Sequence, residues 1–221
     1  MAEPASELVV FDLDGTLLDT ERLAMAAGRK VLRDLGHDPD DSLFHRLIGT
    51  DQDTGMQLLQ DALGEIDMPA LFKAWQREAK ALFARGVDTM PGAVDLVQQL
   101  AQARMPIGIA TSSGRVNAMA KLEKSALAGQ FETLVSRDCV THAKPHPEPY
   151  LMAADRLGVR PETCLVFEAS TPGATSAHAA GMTVVLVPNF APDGAAPAHF
   201  HASSLLDGAR RAGIFSSQDG S

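Results

Sequence analysis

The chain has 221 residues, enough to bury a substantial core as one domain or as one domain carrying a smaller insert. Lys and Arg number 19 against 28 Asp and Glu, a formal net charge of −9 with the basic residues scattered; this excludes nucleic acid as the main partner, because phosphate backbones are held by grouped Lys and Arg. No apolar run approaches ~18 residues and the opening MAEPASE is short and acidic, so neither a membrane span nor a secretory signal is expected and the expected location is the cytoplasm.

The first element is ELVVF, a short apolar run ending at Phe11 that reads as a strand, followed by DLDGT, which places Asp12 and Asp14 two residues apart directly behind it. Two carboxylates at that spacing repel each other unless a cation joins them or one holds a proton. From Asp19 to about Asp88 the strand pattern lapses and only helical patterns occur. Leu23, Ala27, Val31 and Leu35 recur at four-residue steps, and Leu71, Phe72, Trp75, Ala79, Leu82 and Phe83 form a second stripe opened by Pro69 and closed by Gly86. Such stripes build cores. The expected organisation is a helical insert over 19–88 within a unit made of 1–18 and 89–221.

Beyond the insert, PIGIAT, TLVS, TCLVFE and MTVVLV are short runs rich in Val and Ile. Helices are predicted before and between them at 94–103, 117–127, 150–157 and 174–180, the last two closed by Gly158 and Gly181. Strands alternating with helices are the pattern of βαβ units, so the predicted fold class is α/β, a doubly wound parallel sheet. The tail from Asn189 is rich in Ala, Pro and Gly with one short amphipathic piece around Leu205, and no role is assigned to it. Cys139 and Cys164 stand in no metal or redox spacing and read as packing residues.

In an open parallel sheet, ligands bind at the carboxyl ends of the strands near the switch in strand order. At those ends stand Asp12 and Asp14 after the first strand, Thr111, Ser112 and Ser113 after the second, and Glu168 at the end of the fourth, with Lys144 in the loop AKPHPEP just ahead of a helix. Three carboxylates, a lysine and a hydroxyl cluster therefore converge from distant parts of the chain.

With DLDGT, ATSS, AKP and FEAS in this order and spacing, the chain from Leu8 to Pro188 resembles the haloacid dehalogenase-like superfamily of phosphohydrolases, in its branch with a helical cap. The resemblance implies a Rossmann-like core with an inserted helical cap. It makes Asp12 the nucleophile that forms an aspartyl-phosphate and Asp14, protonated, the acid and then base. Mg²⁺ is the implied cofactor, held by Asp12, the backbone carbonyl of Asp14, and Glu168. Thr111 with the neighbouring Ser112 and Ser113 would hold a phosphate oxygen, and Lys144 would pair with the phosphate and Asp12. The partner is then a small phosphorylated metabolite, with no nucleic acid, no membrane and a monomeric chain expected.

Two departures from the family pattern bear on this. Members of this branch usually carry an acid directly after the position of Glu168, where this chain has Ala169. Three accounts of Ala169 stay open: Glu168 and water suffice, the site binds Mg²⁺ weakly, or the acid was removed by engineering. β-Phosphoglucomutases share the cap and core, but Ala24 aligns with their cap histidine and Gln52 with a substrate arginine, which favours a hydrolase. Dehalogenation needs neither a second aspartate nor Mg²⁺, so Asp14 and Glu168 argue against it. Arg46, Gln52, Arg77 and Lys80 are cap residues whose simplest reading is a solvated face. The resulting expectation is a phosphatase for a small phosphomonoester of the sugar or polyol phosphate class. Its rivals are a phosphoglucomutase-like phosphoryl transferase and a catalytically impaired protein that binds a phosphorylated ligand.

Overall fold

The computed structural model describes residues 6–47, 52–189 and 196–214, and the side chains of 41, 45 and 52–54 also lie outside the description, the alignment at Gln52 with them. Strands β1 (Leu8–Phe11), β2 (Ile107–Ala110), β3 (Thr133–Val135), β4 (Cys164–Glu168), β5 (Thr183–Leu186) and β6 (Phe200–His201) form one sheet in the order β3-β2-β1-β4-β5-β6. Every neighbouring pair is parallel. Every residue of β1, β2 and β4 is buried, which is why these strands read as continuous apolar runs.

Between β1 and β2 lie α1 (Thr20–Asp34), α2 (Asp41–Leu47), α3 (Gln52–Leu63) and α4 (Met68–Phe83). The remaining helices are α5 (Ala93–Gln102), α6 (Arg115–Glu123), α7 (Glu148–Leu157), α8 (Thr171–Ala179) and α9 (Leu205–Arg211). Alternate residues of each strand point to opposite faces, and the core divides accordingly. Val9, Phe11, Leu165 and Phe167 meet Leu96, Leu100, Ala118, Leu122 and Leu205 on one face. Leu8, Val10 and Val166 meet Tyr150, Ala153, Ala154, Ala174 and Ala177 on the other. No helix among the described residues is long and apolar enough to cross a membrane.

The insert has its own core of Val31, Leu32, Leu43, Phe44, Leu59 and Leu71, with Trp75 packed against it. Helix α1 lies along α4 at Gly28, where an added Cβ would come 2.0 Å from Trp75 Cζ2; only glycine permits that approach. The Trp75 indole N–H donates to the Ala24 carbonyl at 2.7 Å and closes the contact. Leu35, the last member of the predicted stripe, is exposed instead, because α1 ends at Asp34 and Leu35 caps it. The two connections between insert and sheet run side by side: the Asp19 N–H donates to the Asp88 carbonyl and the Met90 N–H to the Leu17 carbonyl, each at 2.9 Å.

The predicted helix starts need correction in three places. Helices α7 and α8 begin earlier than predicted, taking up Pro149 and Pro172, since a proline in the first turn loses no hydrogen bond that the helix would make. Helix α6 begins at Arg115 and stops at Glu123 rather than spanning 117–127. The tail also contributes structure: β6 extends the sheet beyond β5, and α9 buries Leu205, Gly208 and Ala209.

Candidate active site

From β1 the chain proceeds to β2 and β3 on one side and later returns to place β4 on the other, so the strand order reverses between β1 and β4. The carboxyl ends of these two strands splay around a crevice. Asp12 and Glu168 stand there. Parallel pairing continues one residue past β1, the Asp12 N–H donating to the Phe167 carbonyl at 2.9 Å, which fixes the Asp12 backbone beside Glu168.

Lys144 joins the two acids. Its Nζ donates to Asp12 Oδ1 at 2.8 Å, Glu168 Oε1 at 2.6 Å and the Ala110 carbonyl at 2.9 Å, so all three ammonium protons are used. Burial works against the charge on Lys144, but Asp12 and Glu168 outweigh it and raise its pKa. The other oxygen of Asp12 accepts from Thr16 at 3.2 Å. Burial nevertheless pushes the Asp12 carboxyl up to about 7 against the pull of Lys144, with Glu168 and Asp14 adding repulsion.

Glu168 is fully buried and its oxygens are engaged. Oε1 also accepts the Tyr150 hydroxyl at 2.7 Å, and Oε2 accepts the N–H of Ala169 and Ser170 and the Ser170 hydroxyl at 3.0–3.1 Å. Burial alone would raise its pKa; Lys144 and these donors lower it instead. The first turn of α8 sits directly on the carboxylate, since a Cβ at Gly173 would come 1.7 Å from Glu168 Oε1. A helix N-terminus there favours the anion.

Asp14 points to a different set of partners. Oδ1 accepts from Thr20 at 2.8 Å and from Lys121 Nζ at 2.5 Å, and Oδ2 accepts the Ser113 hydroxyl at 2.7 Å. Burial would raise its pKa, yet Lys121, Ser113 and Thr20 together hold it below the usual carboxylate range. Against the expectation of a protonated Asp14, these contacts favour its ionised form, and the main cause is Lys121. Ser113, expected to face a phosphate, instead bridges Asp14 and Lys121, whose Nζ also lies 2.8 Å from its hydroxyl. Thr111 is buried and its hydroxyl accepts the Ser113 N–H at 3.1 Å, while Ser112 is exposed.

Lys121, Thr16, Thr20, Tyr150 and Ser170 are the site residues that sequence reasoning missed. Lys121 carries a signal in retrospect: it falls at a core-facing position of α6 between the buried Ala118 and Leu122. Tyr150 is the only tyrosine of the chain and shares the inward face of α7 with Ala153 and Ala154. A groove of about 480 Å³ opens from Ser113 and Lys121 between α4 and α6, lined also by Gln76, Lys80 and Phe83. Arg46 and Arg77 are exposed.

Asp12, Asp14 and Glu168 face Lys121 and Lys144, and the raised pKa of Asp12 marks where cationic charge is short. That is a place for a hard divalent ion with oxygen ligands. The donor set fits Mg²⁺ sparsely: Asp12 and the Asp14 carbonyl are suited to it, Ala169 offers no carboxylate, and Glu168 could ligate only by giving up a bond it already makes.

A family model, haloacid dehalogenase-like hydrolase, matches residues 9–187. The chain is 34% identical over 177 residues to a phosphorylated carbohydrates phosphatase of Thermotoga maritima, covering 80% of this chain and 82% of that protein. It is 33% identical over 178 residues to the fructose-1-phosphate phosphatase YqaB of Escherichia coli, covering 80% and 94%. Among solved structures, a hydrolase of the same family from Deinococcus radiodurans, with bound phosphate and sodium, superposes with a TM-score of 0.82 at 29% identity, covering 97% of this chain and 99% of that one. The chain belongs to the haloacid dehalogenase-like hydrolases. Within that family it is a phosphohydrolase.

Proposed function

We propose that this phosphohydrolase is a Mg²⁺-dependent phosphatase for a small phosphorylated metabolite of the sugar or polyol phosphate class, acting in the cytoplasm through an aspartyl-phosphate. The observation that carries this reading is Lys144, buried between Asp12 and Glu168 at the switch in strand order. Burying such charges gives little net stability compared with an apolar trio, so their presence in a cleft points to chemistry. The relatives named for phosphorylated carbohydrates and fructose 1-phosphate support the substrate class.

In this reading the core, 1–18 and 89–221, carries the reaction and the cap, 19–88, covers the leaving group. A carboxylate oxygen of Asp12 attacks phosphorus as the bond to the leaving oxygen breaks, and the leaving oxygen takes a proton from Asp14. Asp14 gives up its Lys121, Ser113 and Thr20 contacts and takes that proton from solvent as the substrate arrives. It then takes a proton from the water that attacks phosphorus, which releases phosphate and regenerates Asp12. Thr111 and the N–H groups behind it hold a phosphate oxygen, and Lys144 balances the charge that builds on the phosphoryl group. Mg²⁺, when bound, supplies further neutralisation of the phosphate oxygens. Asp12 and the Asp14 carbonyl would hold it, with Glu168, the third assigned ligand, contributing chiefly its charge.

A panel of phosphate esters assayed with and without Mg²⁺ tests the proposal. The expected result is Mg²⁺-dependent release of inorganic phosphate with no sugar bisphosphate added. Isomerised sugar phosphate formed only with an added bisphosphate would make the chain a transferase. Binding of the esters without turnover would make it an impaired ligand-binding protein.

Ala169 yields a second expected result. Its side chain is half-buried next to Glu168, and a carboxylate there would add the ligand that the site lacks. Ala169→Asp should lower the Mg²⁺ concentration for half-maximal activity by roughly 10- to 100-fold. Added repulsion with Asp12 should appear as a lower melting temperature in chelator that recovers with Mg²⁺. An unchanged Mg²⁺ requirement would show that Glu168 and water already suffice.

A further inference from the structure

The loop that carries Lys144 also gathers a second group of ligand-type side chains, outside the carboxylate site. His142, His146 and Glu148 each offer an atom within 4.8 Å of the other two. Glu148, at the start of α7, accepts the N–H groups of Thr141 and His142, each at 2.8 Å, and its Oε2 lies 2.9 Å from His142 Nδ1. The two backbone donors fix the carboxylate in place. The His146 ring stands 4.5 Å from that of His142, centroid to centroid, and its Nδ1 accepts the Glu148 N–H at 3.2 Å. The main chain beneath is fixed: the His146 carbonyl accepts the Ser176 hydroxyl at 2.6 Å and the His146 N–H donates to the Ala143 carbonyl at 2.9 Å.

Two imidazoles and a carboxylate are the donors of a borderline divalent ion such as Zn²⁺, with water as the fourth ligand. Mg²⁺ and Ca²⁺ prefer all-oxygen sets, so this cluster and the Asp12 site call for different metals. A tetrahedral ion with ligands at about 2.1 Å holds them roughly 3.4 Å apart. The 4.8 Å spread must therefore close by at most about 1.4 Å. Both rings are exposed and can turn that far about their side-chain torsions, and the carboxylate is already oriented by its backbone donors.

We propose that His142, His146 and Glu148 form a transition-metal site of the Zn²⁺ class on the Lys144 loop. The bound ion ties the residues two before and two after Lys144 to one point, so the loop that presents Lys144 to Asp12 becomes sensitive to that metal. Binding itself does not depend on the phosphatase reading.

The test is a titration of Zn²⁺ into the full chain against a chromophoric chelator, with excess Mg²⁺ present. The expected result is one Zn²⁺ per chain, retained in an Asp12→Asn protein. His142→Ala and His146→Ala should each weaken binding at least about tenfold. His178→Ala is the control, taken from a stacked histidine pair elsewhere, His178 and His199, and should change nothing. In histidine side-chain NMR spectra, Zn²⁺ should move the signals of His142 and His146 and leave those of His37 and His201 in place. No Zn²⁺ binding, binding indifferent to His142 and His146, or binding lost with Asp12→Asn would overturn the proposal.

Discussion

Asp12→Asn is expected to abolish turnover, by a factor of about 10⁴ or more, while leaving the protein folded. An amide cannot form the acyl phosphate, so the covalent route closes altogether rather than slowing. The change nearly preserves shape, and the asparagine still offers an oxygen to Lys144. It also removes a carboxyl that burial makes costly to ionise, its pKa standing near 7. Stability should therefore hold or rise at neutral pH in the absence of metal. Phosphate release by the purified variant and its thermal unfolding in chelator check both halves.

Lys144→Met is expected to be less damaging to activity and far more damaging to the fold. Without the ammonium group, Asp12 and Glu168 face each other with nothing between them, and Glu168 is fully buried. Removing one partner of a buried ion pair typically costs about 3–5 kcal/mol, because the remaining charge stays buried. The loss of charge compensation at the phosphoryl group should cost a further 10²- to 10³-fold in rate, by analogy with removing one preorganised donor.

The sign of the pH dependence separates charge from packing. In the wild-type protein Glu168 is held below its ordinary 4.5, so its contribution to stability is present above that value and is lost as the pH falls through the folded pKa. In the variant both carboxyls are raised, so stability is retained in acid and lost as the pH rises. The destabilisation should therefore be large at pH ~8 and much smaller at pH ~5. Thermal unfolding in chelator at the two pH values measures this, and an equal penalty at both would show that the lysine stem, not its charge, holds the site together.

The core strands were legible because each is buried on both faces and its apolar run has no polar interruption, as in β1 and β4. Strand ends then place Asp12, Asp14, Thr111 and Glu168 by topology alone. Strand β6 was not legible, since two residues at a sheet edge carry no period. The predicted starts of α7 and α8 fall short of Pro149 and Pro172, which the first turn of a helix accepts. Lys121 was missed for a deeper reason. A lysine on a helix is ordinarily solvated, and only the meeting of α6 with the loop after β1 turns this one inward onto Asp14. That contact spans 107 residues of chain, and no local pattern encodes it. The ionised form of Asp14 is favoured by it, so the state of the second aspartate could not be read before the fold was known.

The central claim, a phosphoryl group carried on Asp12, is tested most directly by trapping it. Asp14→Asn should slow the second step, because the water that hydrolyses the intermediate loses its base; a phosphate ester with a leaving group of low pKa still drives the first step. Mixing this variant with such an ester labelled in its phosphoryl group, quenching in acid and digesting should give label on one peptide, the one containing Asp12, and hydroxylamine should remove it. Label on any other residue, or steady phosphate release with no label on that peptide, would contradict the account.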